Sequence, residues 1–228
     1  MTRFRTFLHS PSGAAAAEFA LVLPIALLFF FGIIDMGRYV WRINELEKAV
    51  QMGARYAVAT DVVANRLAAM DYGDPGIVCP NADTGTDEVL APGDTICANA
   101  QGTVTCDKSS GSLECTCAPT SLGAASCQGD DEDVDEAAFD SIVSRMRVVA
   151  PFIADDEVVI KYDGSGIGFA GDPATDDDGN DLSDTAPIVT VGTTSGTMRM
   201  LFLLGGAVPL PPFSYSQTLE DGDGTVAY

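Results

Sequence analysis

The sequence predicts an α+β protein in which one long N-terminal helix packs on a small antiparallel sheet, with a disulfide-stapled loop region. Three observations support this prediction: an apolar run that continues as an amphipathic repeat, six clustered cysteines, and β-branched runs in the last part of the chain. With 228 residues, 46% of them hydrophobic, the chain is long enough for one membrane helix and one compact domain.

The apolar run from Phe19 to Ile34 contains no ionisable residue. With the alanines before it, the run reaches the roughly 20 residues that a helix needs to cross the hydrocarbon core of a bilayer. We therefore expect a transmembrane or core helix over residues 14–35, with a bend or a locally melted turn at Pro24. Glu18 stands at the head of this run. Because a buried carboxylate is costly there, Glu18 marks either the headgroup boundary or a functional acid.

An amphipathic pattern follows directly, over residues 36–70. Apolar residues recur at intervals of three and four from Met36 to Ala57, which is helical periodicity. The same helix is therefore predicted to continue to about Ala69, with its first half in lipid or a filament core and its second half covered by the rest of the domain. An interfacial anchor is expected around Trp41, formed with Tyr39, Arg38 and Arg42.

Charge is distributed unevenly along the chain. Residues 1–13 contain Arg3 and Arg5 and no acid, whereas the whole chain has a net charge of −21. Positive residues before a first membrane helix keep that end in the cytoplasm, so the acidic remainder is expected on the extracytoplasmic side of the membrane. Removal of residues 1–13 would take the net charge from −21 to −23. Such a surface argues against nucleic-acid binding, which requires clustered lysines and arginines.

The loop region, residues 71–129, shows no sustained helix or strand period and contains all six cysteines. An even number of cysteines beyond a membrane helix indicates disulfides formed in an oxidising compartment, and the sequence leaves their pairing open. Zinc is the rival interpretation, but no C-x-x-C pair occurs and the only histidine, His9, lies in the basic leader. The disulfide candidates are Cys79, Cys97, Cys106, Cys115, Cys117 and Cys127. Short strands are expected over residues 102–106 and 113–117.

The last part of the chain, residues 130–228, is predicted to contain one helix and several strands. An acidic run at residues 130–135 precedes an apolar stripe over residues 137–149, and we interpret the acids as a helix cap and solvated face rather than a binding site. The β-branched and apolar runs predict an antiparallel sheet of about four strands, over residues 157–162, 187–191, 198–204 and 214–219.

A candidate calcium loop lies between two of these strands. Side-chain oxygens at positions one, three, five and nine of this loop suit a hard cation, and they belong to Asp176, Asp178, Asn180 and Asp184. The match is partial, because Asp181 and Pro187 stand where the EF-hand pattern has glycine and a bidentate glutamate. A solvated hairpin tip is the alternative that the sequence favours.

An enzyme is not expected. The only histidine, His9, precedes the apolar run, and the cysteines are expected to be oxidised, so Ser–His or Cys–His catalysis is set aside. Neither a G-x-S-x-G motif nor a phosphate-binding loop is found in the sequence. No cofactor is expected apart from the calcium alternative.

The N-terminal residues resemble a known family. Residues 17–24 read AEFALVLP and residues 32–38 read GIIDMGR, after a short basic leader that ends at Gly13. This stretch, up to Ala57, resembles the N-terminus of TadE-like minor pilins and pseudopilins of the Flp/Tad pilus.

The resemblance implies a pilin-like fold and a role in pilus assembly, surface adhesion and secretion. A prepilin peptidase would cut between Gly13 and Ala14, and Glu18 with Phe19 would take part in assembly. The implied partners are other pilin subunits, the peptidase, the membrane and the inner-membrane Tad assembly platform. The alternative is a permanently membrane-anchored extracytoplasmic binding or adhesion module, in which Arg3 and Arg5 are only topology signals.

Overall fold

The computed structural model describes residues 11–68, 77–80, 85–118, 134–171, 186–202 and 205–219. The chain divides into two compact units. The first comprises residues 1–44 and 197–210, and the second comprises residues 45–196 and 211–228. The α+β prediction is confirmed, since a long N-terminal helix, a small antiparallel sheet and disulfides are all present.

Helix α1 extends over Pro11–Ala57 and runs through Pro24 without interruption. The expectation of a melted turn at Pro24 is therefore wrong. A proline removes one backbone hydrogen bond, whereas the leucines and alanines on both sides have high helix propensity and maintain the helix around it.

Helix α1 ends at Ala57, not near Ala69 as the sequence predicted. The following residues are rich in β-branched side chains, which lower helix propensity, and two of them, Val62 and Val63, are fully buried. The backbone N–H of Val63 donates a hydrogen bond to the Tyr162 hydroxyl at 3.0 Å, and its carbonyl accepts one from the Asp135 N–H. These long-range contacts satisfy the backbone in place of a helical ladder, and a short helix, α2 (Asn65–Ala68), follows.

The strands in chain order are β1 (Val78–Pro80), β2 (Asp87–Val89), β3 (Thr103–Asp107), β4 (Glu114–Ala118), β5 (Val158–Asp163), β6 (Ile188–Thr193), β7 (Thr197–Arg199), β8 (Ala207–Pro209) and β9 (Ser214–Thr218). Five of them form the main sheet, in the order β4-β3-β5-β6-β9, and every neighbouring pair is antiparallel. Both short strands expected in the cysteine-rich region belong to this sheet.

One face of the sheet packs against the end of α1 and against helix α3 (Glu136–Arg147). A Cβ atom on Gly53 would lie 2.7 Å from Met146 Cγ and 3.2 Å from Val191 Cγ1, so only glycine allows this close approach. The core of the second unit is built from alternate residues of the strands, which point to the same face of the sheet. Tyr162 belongs to this layer, and its burial raises the pKa of its hydroxyl.

Helix α3 starts where the acidic run ends. The Asp135 carboxylate accepts a hydrogen bond from the Ala138 N–H at 2.9 Å, so this acid is a helix cap. Lys108 joins the β3–β4 hairpin to the same helix: its Nζ lies 2.8 Å from Asp140 Oδ1 and 5.1 Å from the centre of the Phe139 ring. The hydrogen bond to Asp140 raises the pKa of Lys108.

The cysteine-rich region contains a small hairpin, β1–β2, and disulfides. Cys79 is bonded to Cys97, and Cys106 to Cys115, the latter pair lying directly opposite each other on β3 and β4. Cys117 is also disulfide-bonded. Cys127 lies outside the described residues. The disulfide interpretation is therefore supported, and the structure supplies pairings that the sequence left open.

Strands β7 and β8 form a separate hairpin in the first unit. The prediction of a strand over residues 198–204 in the main sheet is wrong, because β7 ends at Arg199 and pairs only with β8. Gly205 adopts a φ of +65° before β8, a conformation that favours glycine and allows the chain to reverse.

Candidate assembly helix and Asp35 clasp

The first part of α1 presents a continuous apolar surface to its surroundings. Its residues are exposed all around the helix, for example Phe19 at 66%, Leu28 at 61% and Ile33 at 71%. Among the described residues, one helix is long and apolar enough to cross a membrane, and this is that helix. A helix that is apolar on every side is covered by lipid or by other apolar helices when it is in place.

The predicted processing and assembly residues lie at the start of this helix. Gly13 and Ala14 are within its first turns, and Glu18 follows Ala14 by four residues, or about one helical turn. The Glu18 side chain is exposed and makes no ion pair within the described part of the chain. The structure thus places the three residues close together on one helix.

A second acid, Asp35, closes the apolar run, and its environment differs completely from that of Glu18. Asp35 is fully buried. Its Oδ1 accepts a hydrogen bond from the Leu201 N–H at 2.9 Å, and its Oδ2 accepts one from the Phe202 N–H, also at 2.9 Å. Arg38 Nη1 lies 3.3 Å from Oδ1, one helical turn further along. We call this arrangement the Asp35 clasp.

Two further contacts hold the β7–β8 hairpin along the same stretch of α1. The Phe31 and Phe202 rings are stacked, with their centroids 4.7 Å apart. The Tyr39 hydroxyl donates a hydrogen bond to the Pro209 carbonyl at 3.1 Å. The hairpin is therefore fixed to the helix before, at and after Asp35.

The negative charge of Asp35 is stabilised by groups of the first unit. A buried carboxylate without partners would be strongly destabilising, but hydrogen bonds from backbone N–H groups stabilise its charged form. One carboxylate also satisfies two N–H groups of a turn that has no ladder partner for them. The Asp35 clasp therefore fixes the hairpin to helix α1.

Sequence reasoning did not predict the Asp35 clasp: it placed Asp35 in the GIIDMGR stretch of the resemblance and at the end of the predicted helix over residues 14–35. A signal was present: the run has an acid at each end, and a second apolar segment, residues 198–204, occurs far along the chain before a glycine pair. Nothing in the local sequence connects the two segments, which are 166 residues apart at the Asp35–Leu201 hydrogen bond.

The face of the main sheet opposite the core is polar. Paired residues form a row across all five strands: Thr116, Thr105, Lys161, Thr190 and Ser216. An open groove of about 380 Å³ lies on this face, lined in part by Lys161, Thr190 and Phe213. Hydroxyls and one lysine could bind a polar partner there.

The candidate calcium ligands Asp176, Asp178, Asn180 and Asp184 lie outside the described residues, so their arrangement stays a prediction. Within the described ranges, no group of three or more His, Cys, Asp or Glu side chains is placed to hold a metal ion.

Comparison with known proteins gave one match. Residues 13–55 match the family model described as TadE-like protein. This match begins at Gly13, ends two residues before the end of α1 and includes Glu18 and Asp35, the acids on either side of the apolar run. No curated protein and no solved structure gave a significant match to the chain.

Proposed function

We propose that this chain, whose residues 13–55 are TadE-like, is a membrane-anchored minor pilin or pseudopilin of a Flp/Tad-type pilus. In this proposal a prepilin peptidase removes residues 1–13. Helix α1 then passes from the inner membrane into an assembly of pilin subunits on the Tad platform. The function is structural, and the acidic, disulfide-bonded remainder of the chain lies outside the cytoplasm.

The observation that supports this proposal most strongly is the exposed apolar surface of α1. In the described part of the chain nothing covers the run from Phe19 to Ile34 except near its end, where Phe31 meets the hairpin. The same helix, with Gly13 and Glu18 at its start, is the part that matches the family. An apolar rod of this kind can exchange lipid for neighbouring helices at little cost, because both surroundings are apolar.

Glu18 has a specific role in the proposal. After cleavage Ala14 carries the new α-amino group, and Glu18 is the fifth residue of the mature chain. The Glu18 carboxylate of one subunit would neutralise the Ala14 ammonium of its neighbour, because each charge alone is costly in an apolar assembly. The exposure of Glu18 and its lack of an ion pair within the described chain support this intermolecular pairing.

Processing is tested by Gly13→Leu, with Gly32→Leu as the matched control. Both glycines lie on α1, and a Cβ on Gly32 would meet nothing within 4 Å. We expect Gly13→Leu to remain at full length on a gel in cells that contain the peptidase, whereas Gly32→Leu is shortened and begins at Ala14 by mass spectrometry. Normal cleavage of the Gly13 variant would refute the processing step.

Assembly is tested by Glu18→Gln, with Glu47→Gln as the control on an exposed position of the same helix. We expect the Glu18 variant to be cleaved normally but to be lost from sheared pili and from crosslinked complexes with other pilins. The Glu47 variant should retain both. If the Glu18 variant assembles like the wild type, the proposed charge pair is wrong.

A permanently anchored binding module is the second candidate, and the groove beside Lys161 on the main sheet is the observation that favours it. The two functions differ in the mature N-terminus. An intact Met1 on the purified protein would support the anchored module, whereas an N-terminus at Ala14 would support the pilin.

A further inference from the structure

We propose that the tip of the β7–β8 hairpin, at Leu201 and Phe202, inserts into the bilayer leaflet that surrounds the Asp35 end of α1. The partner is the acyl-chain region of lipid, not a protein. This inference rests on the membrane anchoring in the proposed function and is independent of cleavage and filament assembly.

Phe202 lies at the level of the end of the apolar run along α1. Phe31 belongs to the apolar run, and it precedes Asp35 by four residues, or about 6 Å along a helix axis. The Phe202 ring is stacked on Phe31 at 4.7 Å, so it lies at nearly the same height along the helix. If the run from Phe19 to Ile34 occupies the hydrocarbon core, Phe202 reaches the edge of that core with it.

The side chains of Leu201 and Phe202 are exposed. Leu201 is 63% exposed and Phe202 is 43% exposed, although both are large apolar residues at the tip of a turn. The Phe202 ring stacks on Phe31, whose neighbours Phe30 and Ile33 on α1 are exposed, so the apolar surface of the hairpin adjoins that of the helix there. A separate apolar patch would need a protein partner to explain it, whereas this one continues the surface that lipid already covers.

The backbone N–H groups at the start of the hairpin turn are hydrogen-bonded within the protein. Irregular backbone at membrane depth is tolerated only where its polar groups are satisfied by protein. The N–H groups of Leu201 and Phe202 both donate to the Asp35 carboxylate, and the Met200 N–H donates to the Gly206 carbonyl at 2.9 Å. Asp35 therefore supplies the hydrogen-bond acceptor that a lipid-inserted turn needs, and the turn shields the Asp35 carboxylate from lipid.

The experiment uses single-tryptophan variants of the full chain in vesicles of phosphatidylethanolamine and phosphatidylglycerol. Trp41 is the only native tryptophan, so Trp41→Phe provides the background. The test variant carries Leu201→Trp. Leu28→Trp in the apolar run reports on the span itself, and Val148→Trp, at a 70% exposed position of the second unit, reports on water.

Brominated acyl chains and aqueous iodide are then used as quenchers. We expect brominated lipid to reduce the emission of Leu201→Trp to an extent comparable with Leu28→Trp, while iodide quenches only Val148→Trp strongly. If Leu28→Trp responds to brominated lipid but Leu201→Trp is quenched by iodide, the hairpin proposal is wrong and the membrane span stands. If neither quencher reaches Leu201→Trp, a protein surface covers the tip and the lipid proposal is overturned. If Leu28→Trp is not quenched by brominated lipid, the apolar run does not lie in the bilayer, and both the membrane anchoring and the hairpin proposal are wrong.

Discussion

Replacing Asp35 with asparagine should release the β7–β8 hairpin without unfolding the main sheet. The carboxylate now accepts one N–H on each oxygen, from Leu201 and from Phe202. An asparagine of the same shape has one oxygen to offer, and its NH₂ group would face the second N–H as donor against donor. The variant thus loses one charge-assisted hydrogen bond and leaves a buried donor without an acceptor.

The expected cost is about 3 kcal/mol, because a hydrogen bond to a charged group contributes about 1.5–3 kcal/mol and an unsatisfied buried group costs about 1–3 kcal/mol. Arg38 adds little, since its side chain is 40% exposed and exposed ion pairs contribute about 0–1 kcal/mol. At about 1.4 kcal/mol per factor of ten, opening of the hairpin should become about a hundredfold more frequent.

Hydrogen exchange of the Leu201 and Phe202 amides in the detergent-solubilised full chain measures this opening directly. Exchange of the two amides should accelerate by about two orders of magnitude, and amides of β5 and β6 should keep their rates. Asp94→Asn is the matched control, because the Asp94 carboxylate accepts one backbone N–H, from Ala91 at 2.9 Å, in an exposed turn. Unchanged exchange at Leu201 and Phe202 in the Asp35 variant would refute the proposal that Asp35 fixes the hairpin to α1.

Three further outcomes are expected for the full chain in urea unfolding. Gly53→Ala should lower the free energy of unfolding by about 1–3 kcal/mol through overpacking against Met146, whereas Gly37→Ala, with open space around its Cβ, should be neutral or stabilising. Tyr162→Phe should cost about 1–3 kcal/mol by leaving a buried N–H unsatisfied, and Tyr215→Phe serves as its control. The free energy of unfolding should fall as the pH rises above about 10. The pKa values of Tyr162 and Lys108 are raised in the folded state, so the unfolded chain releases these protons at lower pH than the folded chain. Tyr162→Phe should show a shallower fall, and an identical slope would contradict the assignment.

Sequence reasoning succeeded where local pattern decides the structure. The apolar run and its amphipathic continuation define most of α1, and alternating β-branched residues define β5 and β6, because periodicity reflects which face is buried. It failed after Ala57, where the helix stops and the Val63 N–H instead donates to the Tyr162 hydroxyl 99 residues further along the chain. It also failed at the strand expected over residues 198–204, because β7 ends at Arg199 and pairs with β8 outside the main sheet. Both errors depend on partners that a local pattern does not contain.

The two acids that bound the apolar run, Glu18 and Asp35, require different explanations because their charges are compensated in different places. Asp35 is compensated inside its own unit, by two backbone N–H groups, so removal of its charge is expected to disturb the isolated subunit. Glu18 is exposed and has no ion pair within the described chain; in the mature chain of the proposal, which lacks Arg3 and Arg5, we expect water, lipid headgroups or another subunit to compensate its charge. In the proposed filament, water and headgroups are absent from the core, and only another subunit remains. Glu18→Gln should consequently leave hydrogen exchange of the hairpin amides unchanged and impair assembly alone, whereas Asp35→Asn should accelerate that exchange before any assembly takes place.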